Sequence, residues 1–505
     1  MGPLTLGIDV GTTTTKAVLA DVSGKMLRDQ AVSYSYAKPR PGWAEQDPED
    51  WWKAVCRTLQ LLFRELPEAR DQIAAIGVSG QGVASVLLDS QGRPLRPAIL
   101  WLDCRSASQA ETLQARCRER LVAISGKSPA AYNVEPKLLW IQQHEPETWQ
   151  RVWKALTTTA YLTYRLTGRA VMNHSDGGIL LAYDLARRAW SEEAMDLMGI
   201  TPSVYAELAS CHEVIGSVTQ EAARATGLRA GTPVVAGGED TSSAGLAMGV
   251  TSPDTAQLSL GSSSTVNVPL KHVSADPRLL AFPHVIEGLT LLGGSMIGGG
   301  NAMIWVAGVM SHDGTASTEQ IGQLTEEASR VPAGSDGLIF LPYLAGELQP
   351  INDGYARGLF LGLDLSKTRG HLIRAVMEGT AFAVEHNLGI TRMLGAKLQT
   401  LLAVGGPARS KLWCQIIADV TGLPVQVMQE RGGAALGDAI LAAWGAGLIP
   451  SPEPMQRVHA AAGQRYIPDA ENHRRYQELL AIYKDVYPRL KDLFPRLAGF
   501  SQPAS

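Results

Sequence analysis

Two similar patterns, each an apolar run followed by a small hydroxyl-bearing turn, lie half the chain apart. The first is Leu4–Val10 with Gly11-Thr12-Thr13-Thr14, and the second is Thr255–Leu260 with Gly261-Ser262-Ser263-Ser264-Thr265. Both patterns indicate strand–turn–strand elements, and the backbone N–H groups of such a turn can bind phosphate oxygens. The turns are 250 residues apart in a chain of 505. The pair therefore predicts two related lobes that bind one phosphate chain between them, as in a two-lobed phosphotransferase.

The bulk composition is that of an ordinary globular protein with two large domains. The chain is too long for one hydrophobic core, and 45% of its residues are apolar and 19% charged. A formal net charge of −4 gives no general attraction to nucleic acid or to an anionic membrane, so we expect neither partner. The five cysteines form no C-x-x-C pair, which favours small buried thiols in a reducing compartment.

One uncharged stretch, residues 288–311, is long enough to cross a membrane. Its glycines, among them the run Gly298-Gly299-Gly300, expose backbone and interrupt a helix. A buried strand, turn and helix are therefore favoured over a membrane span. The N-terminus has no basic region and enters a strand directly, so we expect no secretory signal and a cytoplasmic location. The sequence does not determine the oligomeric state and leaves a homodimer open.

Strand and helix patterns alternate along the chain, which favours an α/β architecture. Asp47 suits a helix N-cap, Pro48 suits the first helical position, and apolar residues from Trp51 to Leu62 recur at helical spacing. We place a first lobe at residues 1–250, a second at 251–450 and a packed helical tail at 451–505. The β-rich pattern of the second half begins at residue 233, and the passage between the lobes extends from there to about residue 262.

Asp9 is the candidate metal ligand. A carboxylate at the end of a buried strand is costly unless it meets donors or a cation. Beside a phosphate-binding turn it can hold Mg²⁺, usually through water. The alternative is an aspartate that caps the following turn with its own side chain. Gly11, Thr12 and Lys16 accompany Asp9 at matching spacing and favour the metal site.

Asp240 is the candidate catalytic base, with Glu239 as its local competitor. Glycines precede Asp240, and the small residues Thr241-Ser242-Ser243 follow it and leave room for a substrate. A carboxylate that reaches a substrate hydroxyl can accept its proton during phosphoryl transfer. A helix N-cap explains the same local sequence equally well, so both interpretations stay open at this point.

Gly405-Gly406 ends a further apolar strand and leads through Pro407 to Ser410, where a helix begins. Glycines there permit close backbone approach by a flat ligand or a phosphate, although an ordinary strand–helix turn fits too. Other nucleotide signatures are not satisfied. Ser125-Gly126-Lys127-Ser128 resembles the end of a Walker A motif, but Leu121 occupies the position of its first glycine.

Several polar residues follow apolar strands and could bind a polyol. Gln81 comes after Val78-Ser79-Gly80, and Asp103 and Arg105 come after Leu100-Trp101-Leu102, where the Trp101 ring could pack against the carbon face of a sugar. Surface loops provide many such clusters, so spacing alone does not establish this site.

Together these residues resemble the FGGY family of carbohydrate kinases, from about Leu4 to Leu448. Arg357-Gly358-Leu359-Phe360-Leu361-Gly362-Leu363, with His371 and Glu378 after it, is similar to the second signature of the family. Lys137-Leu138-Leu139-Trp140 resembles the first signature. The resemblance implies an α/β, two-lobed actin/hexokinase/Hsp70-like (ribonuclease H-like) fold with a cleft between the lobes. Within the family the chain is most similar to xylulokinases and related pentulose kinases.

The resemblance also implies an ATP- and Mg²⁺-dependent kinase that phosphorylates a small ketose or polyol. D-xylulose or a related pentulose is the favoured substrate. Asp240 is then the base and a substrate contact, and Asp9 serves the metal through water. The other predicted site residues form two groups, one for the nucleotide and one for the sugar. Nucleotide binding is assigned to Gly11, Thr12, Thr13, Lys16, Gly261, Ser262, Ser263, Gly405, Gly406 and Ser410, and sugar binding to Gln81, Asp103 and Arg105.

Two departures from the pentulose-kinase pattern leave the sugar open. Gln81 is followed by Gly82-Val83 rather than by methionine and histidine, and Leu348 replaces an arginine after Gly346-Glu347. Ribulose, a deoxy-ketose, gluconate or an alditol are alternative substrates. A non-catalytic sugar sensor or an actin-like ATPase are alternatives of another class, but a sensor has no need for a base.

Overall fold

The computed structural model describes residues 2–271, 276–311, 314–428, 432–453, 455–456, 463–498 and 500. Two seven-stranded sheets organise this part of the chain, one in each half. A separate hydrophobic core packs against each sheet.

The first sheet is built around the strand that precedes the first turn. In spatial order its main strands are Val214–Ser217, Pro233–Val235, Ile73–Gly80, Leu4–Val10, Thr14–Asp21 and Met26–Ser33, and Gly238–Glu239 also pairs with Ile73–Gly80. Leu4–Val10 is antiparallel to Thr14–Asp21 on one side and parallel to Ile73–Gly80 on the other.

The second sheet repeats this arrangement around the second turn. Its order is Leu280–Pro283, Thr290–Met296, Ser264–Leu270, Thr255–Leu260, Thr400–Val404, Val425–Val427 and Arg465–Tyr466. Thr255–Leu260 is antiparallel to Ser264–Leu270 and parallel to Thr400–Val404. The two turns therefore occupy equivalent positions in two sheets of the same topology, as the two-lobed α/β fold requires.

Helices and short strand pairs cover and connect these sheets. The helices are Pro48–Glu65, Ala69–Gln72, Ala107–Ser125, Val134–His144, Pro146–Gln150, Thr158–Thr167, His174–Gly177, Glu192–Met198, Gln220–Thr226, Asp240–Met248, Gly300–Val309, Thr318–Ser329, Arg369–Met393, Lys411–Thr421, Gly433–Gly445, Ala470–Leu490 and Phe494–Ala498. The short pairs are Glu45–Gln46 with Ala98–Ile99, Val86–Leu88 with Lys154–Leu156, Val171–Asn173 with Glu207–Ala209, Tyr183–Asp184 with Ala189–Trp190, and Ile339–Leu341 with Leu359–Leu361.

Local sequence signals predict several of these elements well. Asp47 caps Pro48–Glu65 by accepting a hydrogen bond from the Glu49 N–H at 2.9 Å, as its position predicts. Residues 288–311 contain the strand Thr290–Met296 and the helix Gly300–Val309. In the described ranges, no helix combines the length and apolar character needed to cross a membrane.

The tail and the passage between the lobes contain the following elements. The predicted tail helix is Ala470–Leu490, which buries Tyr476 and Tyr483. Residues 454, 457–462, 499 and 501–505 of the tail lie outside the described residues. Pro233–Val235 pairs parallel with Ile73–Gly80 and belongs to the first sheet, whereas the first strand of the second sheet is Thr255–Leu260.

Helix Gly433–Gly445 comes from the second half of the chain but packs on the first sheet. Gly7 and Gly77 are register partners in adjacent strands. A Cβ atom built on Gly7 would lie 1.7 Å from the carbonyl oxygen of Ala435, and one on Gly77 would lie 2.1 Å from that of Asp438. The paired glycines therefore form a groove that lets the helix backbone lie directly on the sheet.

The same helix also meets Asp240–Met248. A Cβ atom built on Gly437 would lie 1.9 Å from the carbonyl oxygen of Ser243, so these two helices are in backbone contact. Through this contact the helix that begins at Asp240 is fixed to both halves of the chain.

Candidate active site

A cavity of about 410 Å³ lies between the two lobes. The first lobe contributes the turn residue Thr12, the strand-end residue Gln81 and the helix start at Asp240. The second contributes Thr265 and Asn267 from the strand that follows the second turn. The cavity thus brings together the first turn, residues just after the second turn, and the candidate base.

Asp240 and Glu239 have different positions in this wall. Glu239 is the N-cap of helix Asp240–Met248, and its Oε2 accepts a hydrogen bond from the Ser242 N–H at 2.9 Å. Burial raises the pKa of Glu239 well above its ordinary value, and the nearby Asp240 adds to this. Asp240 is the first helical residue, is only half-buried, and accepts a bond from the Thr241 hydroxyl at 3.1 Å. The cap role therefore belongs to Glu239, which leaves the Asp240 carboxylate available to a ligand.

Asp9 lies beside the first turn in the same electrostatic environment. The Ser79 hydroxyl donates to Asp9 Oδ1 at 3.1 Å. Burial raises the pKa of Asp9 to about 7 and the Asp240 carboxylate adds to this, while Ser79 and Lys16 act in the opposite direction. A cation near Asp9 would favour its charged form, since an opposite charge offsets the cost of burial.

A further carboxyl group, that of Asp438, lies next to Asp9 and Asp240, and the sequence analysis did not predict it. It is fully buried on helix Gly433–Gly445, and the Ser243 hydroxyl donates to its Oδ1 at 2.8 Å. Burial raises the pKa of Asp438 well above the ordinary range, with Asp9 and Asp240 adding to the shift. The local sequence is rich in glycine and alanine, and only the packing of this helix on the first sheet brings Asp438 to the site.

The first turn is closed by a bond from the Gly11 N–H to the Thr14 carbonyl oxygen at 3.0 Å. Thr13 is exposed on this turn. Lys16, in the strand that follows, forms an ion pair with Asp29 at 3.4 Å. Lys16 therefore contributes positive charge near Asp9 but already has a carboxylate partner.

The second turn is built in the same way and is supported by a third loop. Gly261 N–H donates to the Ser263 carbonyl oxygen at 2.9 Å, while the carbonyl oxygens of Gly261 and Ser262 accept from Gly300 and Asn301 at 2.8 and 2.9 Å. The start of helix Gly300–Val309 thus lies directly on this turn. The sequence reasoning did not include that helix in the site.

Gly405 lies against the strand that leads into the second turn. Its φ is +104°, and a Cβ atom there would lie 2.0 Å from the carbonyl oxygen of Leu260. Gly406 has open space around it, and Ser410 caps the helix Lys411–Thr421 by accepting a bond from the Trp413 N–H. The backbone at Gly406 is therefore accessible beside the second turn.

Gln81 and Trp101 line the cavity but are also bonded to the first turn. The Thr12 hydroxyl donates to Gln81 Oε1 at 3.1 Å and accepts from Trp101 Nε1 at 3.1 Å. Gln81 Nε2 donates to Gln46 Oε1 at 3.0 Å. Since these bonds hold the Gln81 amide in place, its main effect is to fix the turn, while Trp101 is 45% exposed and presents its ring to the cavity.

Asp103 and Arg105 are buried and are not among the residues that line the cavity, and their direct contact with a sugar stays a prediction. Arg105 donates to both Asp103 oxygens at 2.9 and 2.7 Å, and Asp103 Oδ2 also accepts from the Ala44 N–H at 2.6 Å. The Arg105 guanidinium lies 3.6 Å from the centre of the Trp43 ring. Both groups are therefore saturated by internal partners.

Val83 contributes an apolar side chain to the cavity wall and has unusual backbone geometry. Its φ is +51°, which is strained for a β-branched side chain. The buried Lys137 Nζ donates to the carbonyl oxygens of Val83 at 3.0 Å and of Tyr132 at 2.7 Å. Lys137, from the first signature, therefore ties together two segments that line the cavity.

Comparison with known families identifies the chain. The N-terminal domain of the FGGY family of carbohydrate kinases matches residues 4–247, and its C-terminal domain matches residues 256–446. The chain belongs to the FGGY family of carbohydrate kinases. The resemblance of its motifs is thereby confirmed, and the protein is an ATP-dependent sugar kinase with the two-lobed actin/hexokinase-like fold.

Individual relatives cover nearly the whole of this FGGY kinase. A xylulose kinase of Escherichia coli (strain K12) is 32% identical over 94% of this chain and 99% of its own. The crystal structure of xylulose kinase from Rhodospirillum rubrum matches with a TM-score of 0.92 and 33% identity, over 97% of this chain and 99% of that one. A gluconokinase of Bacillus subtilis (strain 168) is 27% identical over 98% of both chains.

Proposed function

We propose that this kinase transfers the γ-phosphoryl group of Mg²⁺-bound ATP to a hydroxyl of D-xylulose or a related pentulose, with Asp240 as the base. The observation that carries the proposal is that Asp240, uncommitted to capping its helix, lines the cavity between the two lobes. Relatives named as xylulose kinases support the choice of sugar. Because ATP is the donor, we place the reaction in the cytoplasm.

The nucleotide binds across the two equivalent turns. Gly11 and Gly261 close the two turns with their own N–H groups, and the backbone N–H groups of Thr12, Thr13, Ser262 and Ser263 are the ones that face the phosphates. Lys16 adds positive charge nearby. The open backbone at Gly406, next to the second turn, receives the adenosine, with Ser410 at the start of the next helix. These contacts hold the γ-phosphorus near the cavity, which is the main task of the protein in phosphoryl transfer.

Asp9 is the residue that fits magnesium. Within the described residues, no group of three or more His, Cys, Asp or Glu forms a metal site made of protein alone. Mg²⁺ commonly uses one or two carboxylates together with water and substrate phosphates, and the Asp9 carboxylate at the end of the strand that leads into a phosphate turn suits that pattern. When bound, the ion would neutralise charge on the phosphates, while Asp9 would hold it through water.

The acceptor hydroxyl lies next to Asp240 in the cavity. As its oxygen bonds to the γ-phosphorus, the hydroxyl proton moves to the Asp240 carboxylate and the bond from the γ-phosphorus to the β–γ bridging oxygen breaks. ADP and the sugar phosphate are the products. Trp101 packs against the carbon face of the sugar, and Gln81 acts by holding Thr12 and the first turn.

A sugar-dependent ADP-release assay tests this proposal. Wild-type enzyme is assayed with Mg·ATP against D-xylulose, D-ribulose, xylitol and D-gluconate, in parallel with Asp240→Asn. The proposal predicts stimulation by a pentulose and loss of most turnover in the variant, with retained nucleotide binding. ATP hydrolysis that no sugar stimulates, or near-wild-type turnover in Asp240→Asn, would contradict it.

A further inference from the structure

The charge of the cavity wall limits which substrates it can bind. Glu239 and Asp240 contribute two carboxyl groups. Among the described residues that line the cavity, Lys127 alone has a cationic side chain, and its Nζ donates to the carbonyl oxygens of Ser125, Gly178 (2.7 Å) and Ala281 (3.1 Å). An ammonium group has three donors, so these carbonyls use all of them.

Two amide side chains of the wall, in contrast, have donors without a protein partner. Asn133 and Asn267 line the cavity and are only 1% and 4% exposed. The Nδ2 atom of each is buried and finds no hydrogen-bond partner in the described part of the chain. A buried donor in this state is unfavourable unless a ligand oxygen accepts from it.

The surroundings of both residues fix these amides. Asn133 precedes helix Val134–His144, and its Oδ1 accepts from the Ala130 N–H at 2.8 Å, so Nδ2 is the free end of the amide. Asn267 is the register partner of Gly293, which also lines the cavity. A Cβ atom at Gly293 would lie 2.7 Å from Asn267 Oδ1, so this glycine provides the room that the Asn267 side chain occupies.

On the basis of the proposed function, we propose that Asn133 and Asn267 are specificity-determining residues that donate hydrogen bonds to oxygens of a neutral sugar. The cavity then accepts ketoses and polyols, whose hydroxyl and carbonyl oxygens satisfy the amides. It rejects aldonates, because their carboxylate would face Asp240 and no described residue of the lining offers a cationic side chain that is not already paired. Since one asparagine comes from each lobe, a bound sugar also links the lobes.

Substitutions that replace the amide donor by a carboxylate oxygen of the same shape test this assignment. Asn133→Asp keeps the acceptor for the Ala130 N–H but loses Nδ2, and Asn267→Asp is the equivalent change in the second lobe. Loss of one hydrogen bond, together with repulsion between the new carboxylate and the lone pairs of the sugar oxygen, raises the KM for the sugar about tenfold in each variant. The kcat and the KM for ATP stay close to the wild-type values, because the lost interaction is ground-state binding.

Two controls separate recognition from folding. Asn472→Asp makes the same chemical change outside the cavity, where Nδ2 donates to Asp419. Gln257→Met removes another buried amide, whose Oε1 has no hydrogen-bond partner among the described residues. Gln257 is the register partner of Asn267 on the adjacent strand but does not line the cavity. Both controls are expected to change the melting temperature at most, with the sugar KM unchanged.

The outcomes are distinct. The inference predicts that wild-type kcat/KM for D-xylulose or xylitol exceeds that for D-xylonate and D-gluconate by at least about tenfold, a margin one polar contact can supply. An active wild type with pentulose-stimulated turnover and unchanged sugar KM in Asn133→Asp and Asn267→Asp overturns this inference alone. An aldonate as the best substrate overturns the inference together with the choice of a pentulose, but leaves the sugar kinase activity standing. A wild type without sugar-stimulated turnover overturns the proposed function and this inference together.

Discussion

Gly7→Ala tests how closely helix Gly433–Gly445 is packed on the first sheet. The added Cβ atom would lie 1.7 Å from the Ala435 carbonyl oxygen and 2.6 Å from the Ala439 nitrogen. To restore ordinary contact the helix must move away by roughly 1.5 Å, and overpacking of this kind costs about 3 kcal/mol. The helix also carries Asp438, so we expect a lower kcat in the protein that still folds.

Urea unfolding followed by fluorescence measures the effect, with Gly322→Ala as the matched control. Gly322 lies in helix Thr318–Ser329, and no atom lies within 4 Å of a Cβ atom built there. The control is expected to unfold at the wild-type midpoint or to gain up to about 1 kcal/mol from helix propensity. A Gly7→Ala protein that unfolds at the same urea concentration as the wild type would refute the reasoning.

Three further predictions concern the carboxyl groups. Asp240→Asn lowers kcat by about 10²–10⁴-fold in the ADP-release assay without changing the nucleotide Kd. Glu239→Gln keeps an acceptor for the helix cap and lowers kcat by less than about tenfold in the same assay. The reverse order of the two effects would contradict the assignment of the base. Asp9→Asn raises the Mg²⁺ concentration for half-maximal activity about tenfold or more, and an unchanged Mg²⁺ titration would exclude Asp9 as its ligand. Burial raises the pKa of Glu347 to about 7, so the folded protein retains a proton that the unfolded chain releases above about pH 4.5. Glu347 therefore lowers stability by up to about 3 kcal/mol as the pH rises from about 4.5 to about 7. Glu347→Gln should make the slope of stability against pH shallower by this amount in unfolding experiments, and equal slopes in the two proteins would disprove it.

Local signals were sufficient for the elements that carry the phosphate turns. Strand Leu4–Val10, the turn after it and the cap at Asp47 follow from apolar patterning and from residues with strong conformational preferences. The presence of two similar turns predicted two similar sheets, because each turn connects two strands of a sheet. The resemblance of the motifs to the FGGY family then predicted the two-lobed fold.

The sequence could not reveal which side chains share the cavity. Asp438 reaches Asp9 only because Gly7 and Gly77 admit a helix from the other half of the chain, a long-range contact without a local signal. Asp103 was predicted to contact the sugar because it follows a strand, whereas its carboxylate in the structure already accepts hydrogen bonds from Arg105 and from the Ala44 N–H. Proximity along the chain does not show whether a polar group is already paired.

A crystal structure with D-xylulose, Mg²⁺ and a non-hydrolysable ATP analogue tests the central claim most directly. The account predicts phosphates between residues 11–14 and 261–264. It also predicts a sugar hydroxyl within hydrogen-bond distance of the Asp240 carboxylate, about 2.6–3.2 Å, and directed at the γ-phosphorus. A nucleotide bound away from these turns, or a sugar that leaves Asp240 without contact, would contradict it.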